Sequence, residues 1–355
     1  MSMDARLDIG IVGLGPHGLN RAEILTNFDQ RVYGSDASPE ARHEFEQRFR
    51  SDHFETPTAL FEQDPDAVVI TTPNKFHEPV ATAAMERGID VFIEKPLAHT
   101  LDDAEQIATT AEETGRICMV GYQSRFLNVC KILKWYIDQG YFGEIRHVQS
   151  AYMRRRGVPS RGSWYTSKEI AGGGALIDIG IHVIDLLLYF LDEPTVLDIT
   201  STTRSDFGNR ESYTYIDMWG NDDDANIFDV EDSVSAFMEF ENETTGTMEV
   251  AWAVNAESVH AYHIHGTDAG ALLDITDLLN TDNAVHQSLQ LYEARNGGAD
   301  HYLDSSVTTN RNDPYREQME TFITAVANDE PLSINTAEQA LAVQRVVDRI
   351  YADNA

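Results

Sequence analysis

The chain has 355 residues, enough for two hydrophobic cores, and 42% of them are hydrophobic, which excludes wholesale disorder. Its 59 acidic and 26 basic residues give a formal net charge of −33, so nucleic acids and anionic lipid surfaces are poor candidate partners. We find neither a run of about 18 apolar residues nor an N-terminal signal, and therefore expect a cytoplasmic protein without a membrane partner.

The acidic residues are accompanied by only five lysines, since arginine supplies the other basic side chains. Molar salt shortens the Debye length to about 3 Å and relieves the repulsion of such a surface. The composition therefore predicts a salt-loaded cytoplasm, as in halophilic archaea, with an ordinary acidic protein as the alternative. Two cysteines, Cys118 and Cys130, are too few for a disulfide framework, and no cluster has metal-ligand spacing, so we expect no metal site.

Strand and helix patterns alternate through the first 120 residues. The pattern predicts strands at 7–12, 31–35, 67–71, 91–93 and 117–120, separated by helices at 17–27, 39–48, 78–87 and 100–114. Strands that alternate with helices in this way form parallel sheets with crossover helices. The sequence therefore predicts an α/β fold that begins with a Rossmann domain, a doubly wound parallel sheet.

The pattern changes after residue 121. A helix at 126–139 and a strand at 145–153 lead to a glycine run and a helix at 175–191. Alternating strands are predicted over 196–274, for example at 233–240, 247–254 and 260–266. The acidic stretch 206–232, which contains the run at 221–224, indicates a surface excursion, and the last helices are expected at 314–328 and 336–352. These elements predict a C-terminal α/β domain with an open, mostly antiparallel sheet, and they divide the chain into domains of residues 1–123 and 124–355.

A glycine turn joins the first strand to the first helix. In Gly13-x-Gly15-x-x-Gly18 the glycines permit a tight turn, approach of the backbone to a pyrophosphate, and close packing of helix on strand. Asp36, at the end of the second strand, is placed to accept hydrogen bonds from ribose hydroxyls, which favours NAD. Arg42 keeps NADP open, and Asp36 as a turn-forming carboxylate is the structural alternative.

Two further motifs close strands at the edge of the sheet where ligands bind. Thr72-Pro73-Asn74-x-x-His77 ends one strand, and its alternative interpretation is a helix start with Asn74 as the N-cap. Lys95 ends the next strand within Glu94-Lys95-Pro96, and the proline excludes helical geometry at the lysine. A partly buried ammonium can stabilise a developing alkoxide or relay a proton, whereas a salt-bridged lysine is the alternative.

The fourth motif places a carboxylate and an imidazole on one helix. Asp178 and His182 lie four residues apart on the predicted helix and therefore share a face. A carboxylate beside an imidazole orients the ring and favours its protonation, which suits a general base. The glycines at 172–174 would let the helix start close against a ligand, and an ion-paired polar stripe is the alternative.

Together these motifs resemble the glucose–fructose oxidoreductase/inositol dehydrogenase (Gfo/Idh/MocA) family over nearly the whole chain. The likeness rests on the segments 13–18, 72–77, 94–97, 121–126 and 172–182. The resemblance implies an NAD(P)-binding domain at 1–123 and a substrate-binding and oligomerisation domain at 124–355, assembled as a dimer or tetramer. It also implies reversible oxidation of a sugar or polyol hydroxyl, with hydride passing to the nicotinamide.

The resemblance also implies roles for particular residues. His182 would be the general base, Asp178 its orienting partner, and Lys95 the proton relay and electrostatic stabiliser. The residues expected to bind the cofactor are Gly13, Gly15, Pro16, His17, Gly18, Asp36, Thr72, Pro73, Asn74, His77, Glu94, Lys95 and Gln123. Those expected to contact the substrate are Lys95, Arg125, Tyr152, Arg154, Arg155, Trp164, Asp178 and His182.

The working hypothesis is an NAD(P)-dependent dehydrogenase of a monosaccharide, cyclitol or sugar derivative. Two alternatives stay open. One is a redox-neutral glycosidase that uses tightly held NAD for transient oxidation on the same scaffold. The other is a non-catalytic regulator that senses NAD and a sugar.

Overall fold

The chain folds into two compact units. In a computed structural model, residues 6–215, 228–276 and 287–354 are described. One unit comprises residues 1–123 and 313–344, and the other comprises residues 124–312 and 345–355. Within the predicted surface excursion at 206–232, residues 216–227 lie outside the described residues. Its last residues are not on the surface, since Val230 is 5% exposed and Asp232 is fully buried.

The first unit contains a parallel sheet with helices between its strands. The six strands lie in the order β3-β2-β1-β4-β5-β6, and each neighbouring pair is parallel. The strands are β1 Asp8–Val12, β2 Arg31–Ser35, β3 His53–Phe54, β4 Ala67–Ile70, β5 Asp90–Ile93 and β6 Cys118–Val120. The helices between them are α1 Pro16–Thr26, α2 Pro39–Phe49, α3 Pro57–Phe61, α4 His77–Met85 and α5 Leu101–Thr114. The order reverses between β1 and β4, which is where such sheets bind ligands.

Apolar runs and helix caps explain these elements. All four residues of β4 and all four of β5 are buried, as expected for strands covered on both faces. Helix α2 begins where the Ser38 hydroxyl accepts the Ala41 N–H at 3.1 Å, and α5 begins where Thr100 accepts the Asp103 N–H at 3.2 Å.

The second unit is built on a larger sheet of eight strands. It begins with helix α6 Asn128–Asp138, strand β7 Ile145–Met153, the short helix α7 Lys168–Ala171, a π-helical turn at Leu176–Gly180 and helix α8 Ile181–Phe190. The other strands are β8 Val196–Arg204, β9 Ser233–Phe240, β10 Thr245–Ala251, β11 Val259–Gly266, β12 Ala269–Asp274, β13 Ser288–Arg295 and β14 His301–Val307.

This sheet is mostly antiparallel. Its order is β14-β13-β12-β11-β7-β10-β9-β8, in which β7 and β10 pair in parallel and the other neighbours pair antiparallel. Buried and more exposed residues alternate along β9 and β10. Helix α8 is buried at nine of its ten positions and packs against β7. The α/β fold with one parallel and one mostly antiparallel sheet confirms the predicted fold class.

The C-terminal segment differs from the expected division into 1–123 and 124–355. Helices α9 Pro314–Asn328 and α10 Ala337–Asp353 follow the second sheet, yet residues 313–344 belong to the first unit. The Phe322 ring lies edge-on to Phe92 of β5, 5.6 Å between centroids. The Asn335 amide donates to the carbonyl oxygens of Val120 and Tyr122 at 3.1 and 2.9 Å. These contacts return the segment to the first sheet after an excursion of nearly 190 residues.

One described segment, Lys168–Phe190, is long and apolar enough to cross a membrane by length and composition alone. Its most apolar window is 83% buried inside the protein, as in the core helix of a soluble domain. The segment includes the glycines at 172–174 and the π-helical turn, so it is not one uninterrupted helix.

Candidate active site

The candidate residues fall into two sets, one in each unit. The first set begins at the glycine turn after β1. Gly13 has φ +96°, and a Cβ there would lie 2.8 Å from the Thr71 carbonyl carbon. A Cβ at Gly18 would lie 2.0 Å from the Gly13 oxygen. Both positions therefore require glycine, the first for its backbone conformation and the second for the close approach of α1 to the turn.

Gly15 has a different role, because a Cβ there would meet nothing within 4 Å. It is the N-cap residue of α1, with Pro16 in the first turn of the helix. The N–H groups in the first turn of an α-helix lack partners within the helix, and no side chain at Gly15 stands in the way of a phosphate that binds there. Phosphate binding by this turn stays a prediction.

Asp36 connects the end of β2 to the same turn. One carboxylate oxygen accepts the Leu14 N–H at 2.7 Å, and the other accepts the Ser38 N–H at 2.8 Å. The carboxylate is half-buried and keeps lone pairs for further donors. Arg42 donates to the carbonyl oxygens of Asp36 and Ala37, at 2.6 and 3.0 Å, which fixes the guanidinium beside the strand end. The turn-forming and ribose-binding interpretations of Asp36 are thus compatible.

His77 joins the ends of β4 and β5. It is 1% exposed, and its ring nitrogens lie 2.9 Å from the carbonyl oxygens of Thr72 and Pro96. Burial lowers the pKa of His77, although the two carbonyl oxygens favour the protonated ring. Within this unit His77 therefore links the loop after β4 to the loop after β5, whereas the sequence predicted that it contacts the cofactor.

Asn74, Thr72 and Pro73 lie in the loop that His77 braces. Asn74 is 6% exposed and begins a 3-10 turn at Asn74–Phe76. Helix α4 starts after that turn with Phe76 at its N-cap position, so the alternative prediction of Asn74 as the N-cap of this helix is wrong. Thr72 and Pro73 are half-buried at the carboxyl end of β4, the edge at which open parallel sheets bind ligands.

Glu94 is held by a buried arginine. The Arg21 guanidinium, 1% exposed, donates from Nε to Glu94 Oε1 at 2.7 Å and lies over the Phe92 ring, 4.7 Å from its centroid. Burial would raise the pKa of Glu94, but Arg21 and the nearby His17 outweigh burial and lower it. A Cβ at Gly121 would lie 2.7 Å from a Glu94 oxygen. Glu94 is therefore an internal ion-pair residue that fixes the backbone before Lys95.

Lys95 is the second residue after the end of β5 and is half-buried, and the Lys95–Pro96 peptide bond is cis. Gln123 follows β6, and its amide donates to the Tyr315 hydroxyl at 3.2 Å. Both side chains therefore lie at the carboxyl ends of neighbouring strands of the parallel sheet. His17 is half-buried at the start of α1.

The second set lies around the π-helical turn of the other unit. Asp178 sits in this turn and His182 in the first turn of α8, so the regular helix predicted over 175–191 is interrupted between them. The Trp252 indole donates to one Asp178 carboxylate oxygen at 2.9 Å, and Trp252 is fully buried. His182 is 7% exposed, and its carbonyl oxygen lies 3.4 Å from the Tyr262 hydroxyl.

An aromatic and cationic group adjoins this turn. The Tyr152 and His260 rings are stacked, 4.0 Å apart, and His260 Nε2 lies 3.1 Å from the Tyr262 hydroxyl. Arg154 donates to the Tyr152 hydroxyl at 2.9 Å, and Asp178 helps to raise the pKa of Arg154 against its burial. Tyr152 and Arg154, both predicted substrate contacts, are thus brought close to Asp178.

The other predicted substrate contacts have different environments. The Arg125 guanidinium is 1% exposed and lies 2.7 Å from Asp185, which is fully buried, so Arg125 is an internal ion-pair residue in this unit. Burial raises the pKa of Asp185 to about 6 in spite of that arginine. Arg155 is exposed, and Trp164 is half-buried and stacks on Tyr165 at 3.8 Å.

Sequence reasoning missed Trp252 and the Arg21 brace because their partners are distant in the chain. Trp252 lies 74 residues from Asp178, and Arg21 lies 73 residues from Glu94. No motif in the sequence marks His260, which is followed in β11 by His263 and His265. Among the described residues, no group of three or more histidines, cysteines or carboxylates could hold a metal ion.

The residues of the first unit fit a dinucleotide. A glycine turn that leads into the start of α1 suits a pyrophosphate, and the Asp36 carboxylate suits a ribose diol. The turn, Asp36 and the strand ends at Thr72 and Lys95 all lie at the carboxyl edge of one parallel sheet.

Family models match both parts of the chain. Residues 7–122 match the oxidoreductase family with an NAD-binding Rossmann fold, and residues 131–272 match the GFO/IDH/MocA C-terminal domain. The D-glucoside 3-dehydrogenase of Escherichia coli strain K12 is 31% identical over 289 residues, which are 81% of this chain and 76% of that protein.

Solved structures show the same fold. GenD2 from gentamicin A biosynthesis, in complex with NAD, is 26% identical with a TM-score of 0.77, covering 99% of this chain and 95% of that one. Levoglucosan dehydrogenase in complex with NADH and levoglucosan is 23% identical with a TM-score of 0.80, covering 98% and 97%. These matches confirm the predicted resemblance: the chain belongs to the Gfo/Idh/MocA oxidoreductase family and is an NAD(P)-dependent dehydrogenase.

Proposed function

We propose that this dehydrogenase oxidises, reversibly, one hydroxyl of a monosaccharide, cyclitol or other sugar derivative. The observation that carries the proposal is the glycine turn after β1, whose Leu14 N–H donates to the Asp36 carboxylate. Two further features support it: Lys95 lies just after β5, and Asp178 and His182 lie on one segment of the second unit. A relative named as a sugar dehydrogenase, 31% identical, supports the substrate class.

In the proposed reaction the substrate hydroxyl loses a proton and its carbon loses a hydride. His182 takes the proton from the hydroxyl as general base, and Asp178 orients its imidazole. The Lys95 ammonium stabilises the negative charge that develops on the oxygen and passes protons onward. The nicotinamide, when bound, supplies the hydride acceptor. Tyr152 and Arg154 bind other hydroxyls or substituents of the substrate, and Arg155 and Trp164 are further proposed contacts. Arg125, predicted as a contact from the sequence, instead forms an internal ion pair with Asp185.

We also propose that NAD is preferred over NADP. Two backbone N–H groups hold the Asp36 carboxylate in place, so a 2′-phosphate would meet a fixed negative charge. Arg42 would have to give up its two backbone carbonyl partners to reach such a phosphate.

The test is an absorbance screen at 340 nm for reduced cofactor, with NAD or NADP and a panel of sugars, sugar acids and cyclitols. Lys95→Met and His182→Asn should each lower kcat on the identified substrate by about 10²- to 10⁴-fold. Lys131→Met and His301→Asn, at exposed positions of the second unit, are matched controls that should keep turnover. Wild-type turnover in both active-site variants would contradict the proposal.

The same screen separates the alternatives. Release of sugar from a glycoside without accumulation of NADH would indicate the redox-neutral glycosidase. Binding of NAD with no turnover across the panel would indicate the sensor.

The net charge of −33 supports a second proposal, that the protein works in a salt-loaded cytoplasm, as in halophilic archaea. We expect its melting temperature and turnover to rise as KCl is raised from about 0.1 M to about 2 M, because salt screens the repulsion between carboxylates. Equal stability at both concentrations would contradict this proposal. The family resemblance supports a homodimer or homotetramer, which light scattering at both salt concentrations would measure.

A further inference from the structure

The segment that carries Asp178 and His182 starts against a carboxylate. The Glu231 side chain accepts the Gly174 N–H at 3.0 Å and the Leu176 N–H at 2.9 Å. The Glu231 backbone oxygen accepts the Ala175 N–H at 3.0 Å. These three consecutive N–H groups lie at the start of a helical segment, where they lack partners within the helix. Glu231 therefore fixes the backbone immediately before the π-helical turn.

Close packing at this helix start explains two glycines of the run at 172–174. A Cβ at Gly174 would lie 1.9 Å from the Glu231 backbone oxygen. A Cβ at Gly173 would lie 1.8 Å from the Tyr351 hydroxyl, which itself donates to the Glu231 carboxylate at 3.0 Å. The glycines therefore admit Glu231 and Tyr351, whereas the sequence suggested that they admit a ligand.

Trp252 fixes the same segment at its catalytic end. Its indole N–H donates to Asp178 Oδ2 at 2.9 Å, and its backbone N–H donates to the Asp232 carbonyl oxygen at 2.8 Å. Glu231 and Asp232 precede β9 and Trp252 follows β10, which pair with Ser233 opposite Ala251. Both anchors therefore come from the open end of one β-hairpin.

We propose that Glu231 and Trp252 are positioning residues for the dehydrogenase reaction, acting through Asp178 from the end of the β9–β10 hairpin. Glu231 sets where the segment begins, and Trp252 sets how the Asp178 carboxylate is turned. This inference rests on the proposed function, because it assumes that Asp178 orients the general base.

Trp252→Phe tests the proposal with a small change, since it removes the indole donor and keeps an aromatic ring. We expect kcat to fall about tenfold, the value of one hydrogen bond to a charged group, with the KM of the sugar and the Kd of NAD changed less than about twofold. Trp135→Phe, at an exposed position on α6, is the matched control and should keep turnover.

A double-mutant cycle separates positioning from general damage. If Trp252 acts through Asp178, Trp252→Phe should cost no further activity in an Asp178→Asn background. A further tenfold fall in kcat when Trp252→Phe is added to Asp178→Asn would overturn the proposal. So would a Trp252→Phe variant that has a lower melting temperature but the kcat of the wild type.

Glu231→Gln tests the other anchor, because the amide NH₂ of glutamine would face backbone N–H groups. We expect kcat to fall at least tenfold, and the fall to shrink in the Asp178→Asn background. Glu239→Gln, an exposed residue of β9, is the matched control. If Glu231→Gln does not fold, the Trp252 cycle decides the proposal.

A third measurement does not depend on turnover. The indole N–H signal that disappears in Trp252→Phe should move in the ¹⁵N–¹H spectrum of Asp178→Asn. An unmoved signal would overturn the Trp252 contact. A moved signal in a protein that oxidises no sugar would instead show that the contact exists and that the proposed function fails.

Discussion

We expect His260→Gln to make the protein less sensitive to acid. The His260 ring is 2% exposed, and among the described residues its Nδ1 atom has no hydrogen-bond partner. Tyr152 covers one face of the ring, and the positive charge of Arg154 lies nearby. Burial, with a smaller contribution from Arg154, lowers the pKa of His260 from 6.5 to about 3.

The magnitude follows from proton linkage. Between pH 6.5 and about 3 the unfolded chain protonates this histidine while the folded chain does not. The free energy of unfolding therefore falls as pH falls, by about 1.4 kcal/mol per pH unit for this group. From neutral pH to about pH 5 the loss is roughly 2 kcal/mol, a large fraction of the stability of an ordinary domain. Glutamine does not titrate, so the variant lacks this contribution.

The assay is urea unfolding in molar KCl at several pH values between about 7.5 and 5. Because the substitution also removes the stack on Tyr152, the variant is expected to be less stable at neutral pH, and the slope against pH is the quantity compared. His43→Gln, at an exposed site, is the matched control and should keep the wild-type slope. Parallel slopes for wild type and His260→Gln would refute the reasoning.

Four further variants test the first unit and the helix start. Arg21→Met should cost about 3–5 kcal/mol in urea unfolding because it leaves Glu94 buried without its partner, and adding Glu94→Gln should recover part of that loss. Glu94→Gln alone should lower the free energy of unfolding at neutral pH, and its difference from wild type should shrink as pH falls. The pKa of Glu94 is lowered in the folded protein, so the carboxylate stabilises the fold only while it is ionised. Gly174→Ala should lower both the melting temperature and kcat, because the new Cβ would overlap the backbone oxygen of Glu231. Asp36→Ala should raise the Kd of NAD about tenfold and narrow the preference over NADP, measured by titration.

Local patterns predicted the elements whose ends are marked in the sequence. The strands at 31–35, 145–153 and 233–240 and the helix at 314–328 agree with the structure at both ends. Each combines a regular hydrophobic period with a clear boundary, such as the Asp313-Pro314 start of α9. Strands β3, β13 and β14 were not predicted. β3 has two residues, and β13 and β14 carry mostly half-exposed or exposed side chains, so their hydrophobic signal is weak.

The interrupted helix is a feature that the hydrophobic periodicity of the sequence cannot predict. The spacing of Asp178 and His182 predicts one regular face, but the structure places a π-helical turn between the glycines and α8. Such a turn changes which residues share a face without changing the sequence spacing. The contacts that fix the turn come from Glu231, 57 residues beyond Gly174, so the local sequence cannot predict them.

The local sequence also cannot predict which group pairs with a buried arginine. Arg125 and Arg154 both follow apolar segments near the motifs of the site, and the sequence treats them alike as substrate contacts. In the structure Arg125 is paired with Asp185, 60 residues away, whereas Arg154 lies beside Tyr152 and in the field of Asp178. A buried guanidinium needs a compensating partner, and whether that partner is a carboxylate of the chain or a group of the ligand depends on the tertiary fold. For that reason residue type and spacing locate the proposed catalytic segment, whereas its contacts with Glu231 and Trp252 at the end of the β9–β10 hairpin become visible only in the tertiary fold.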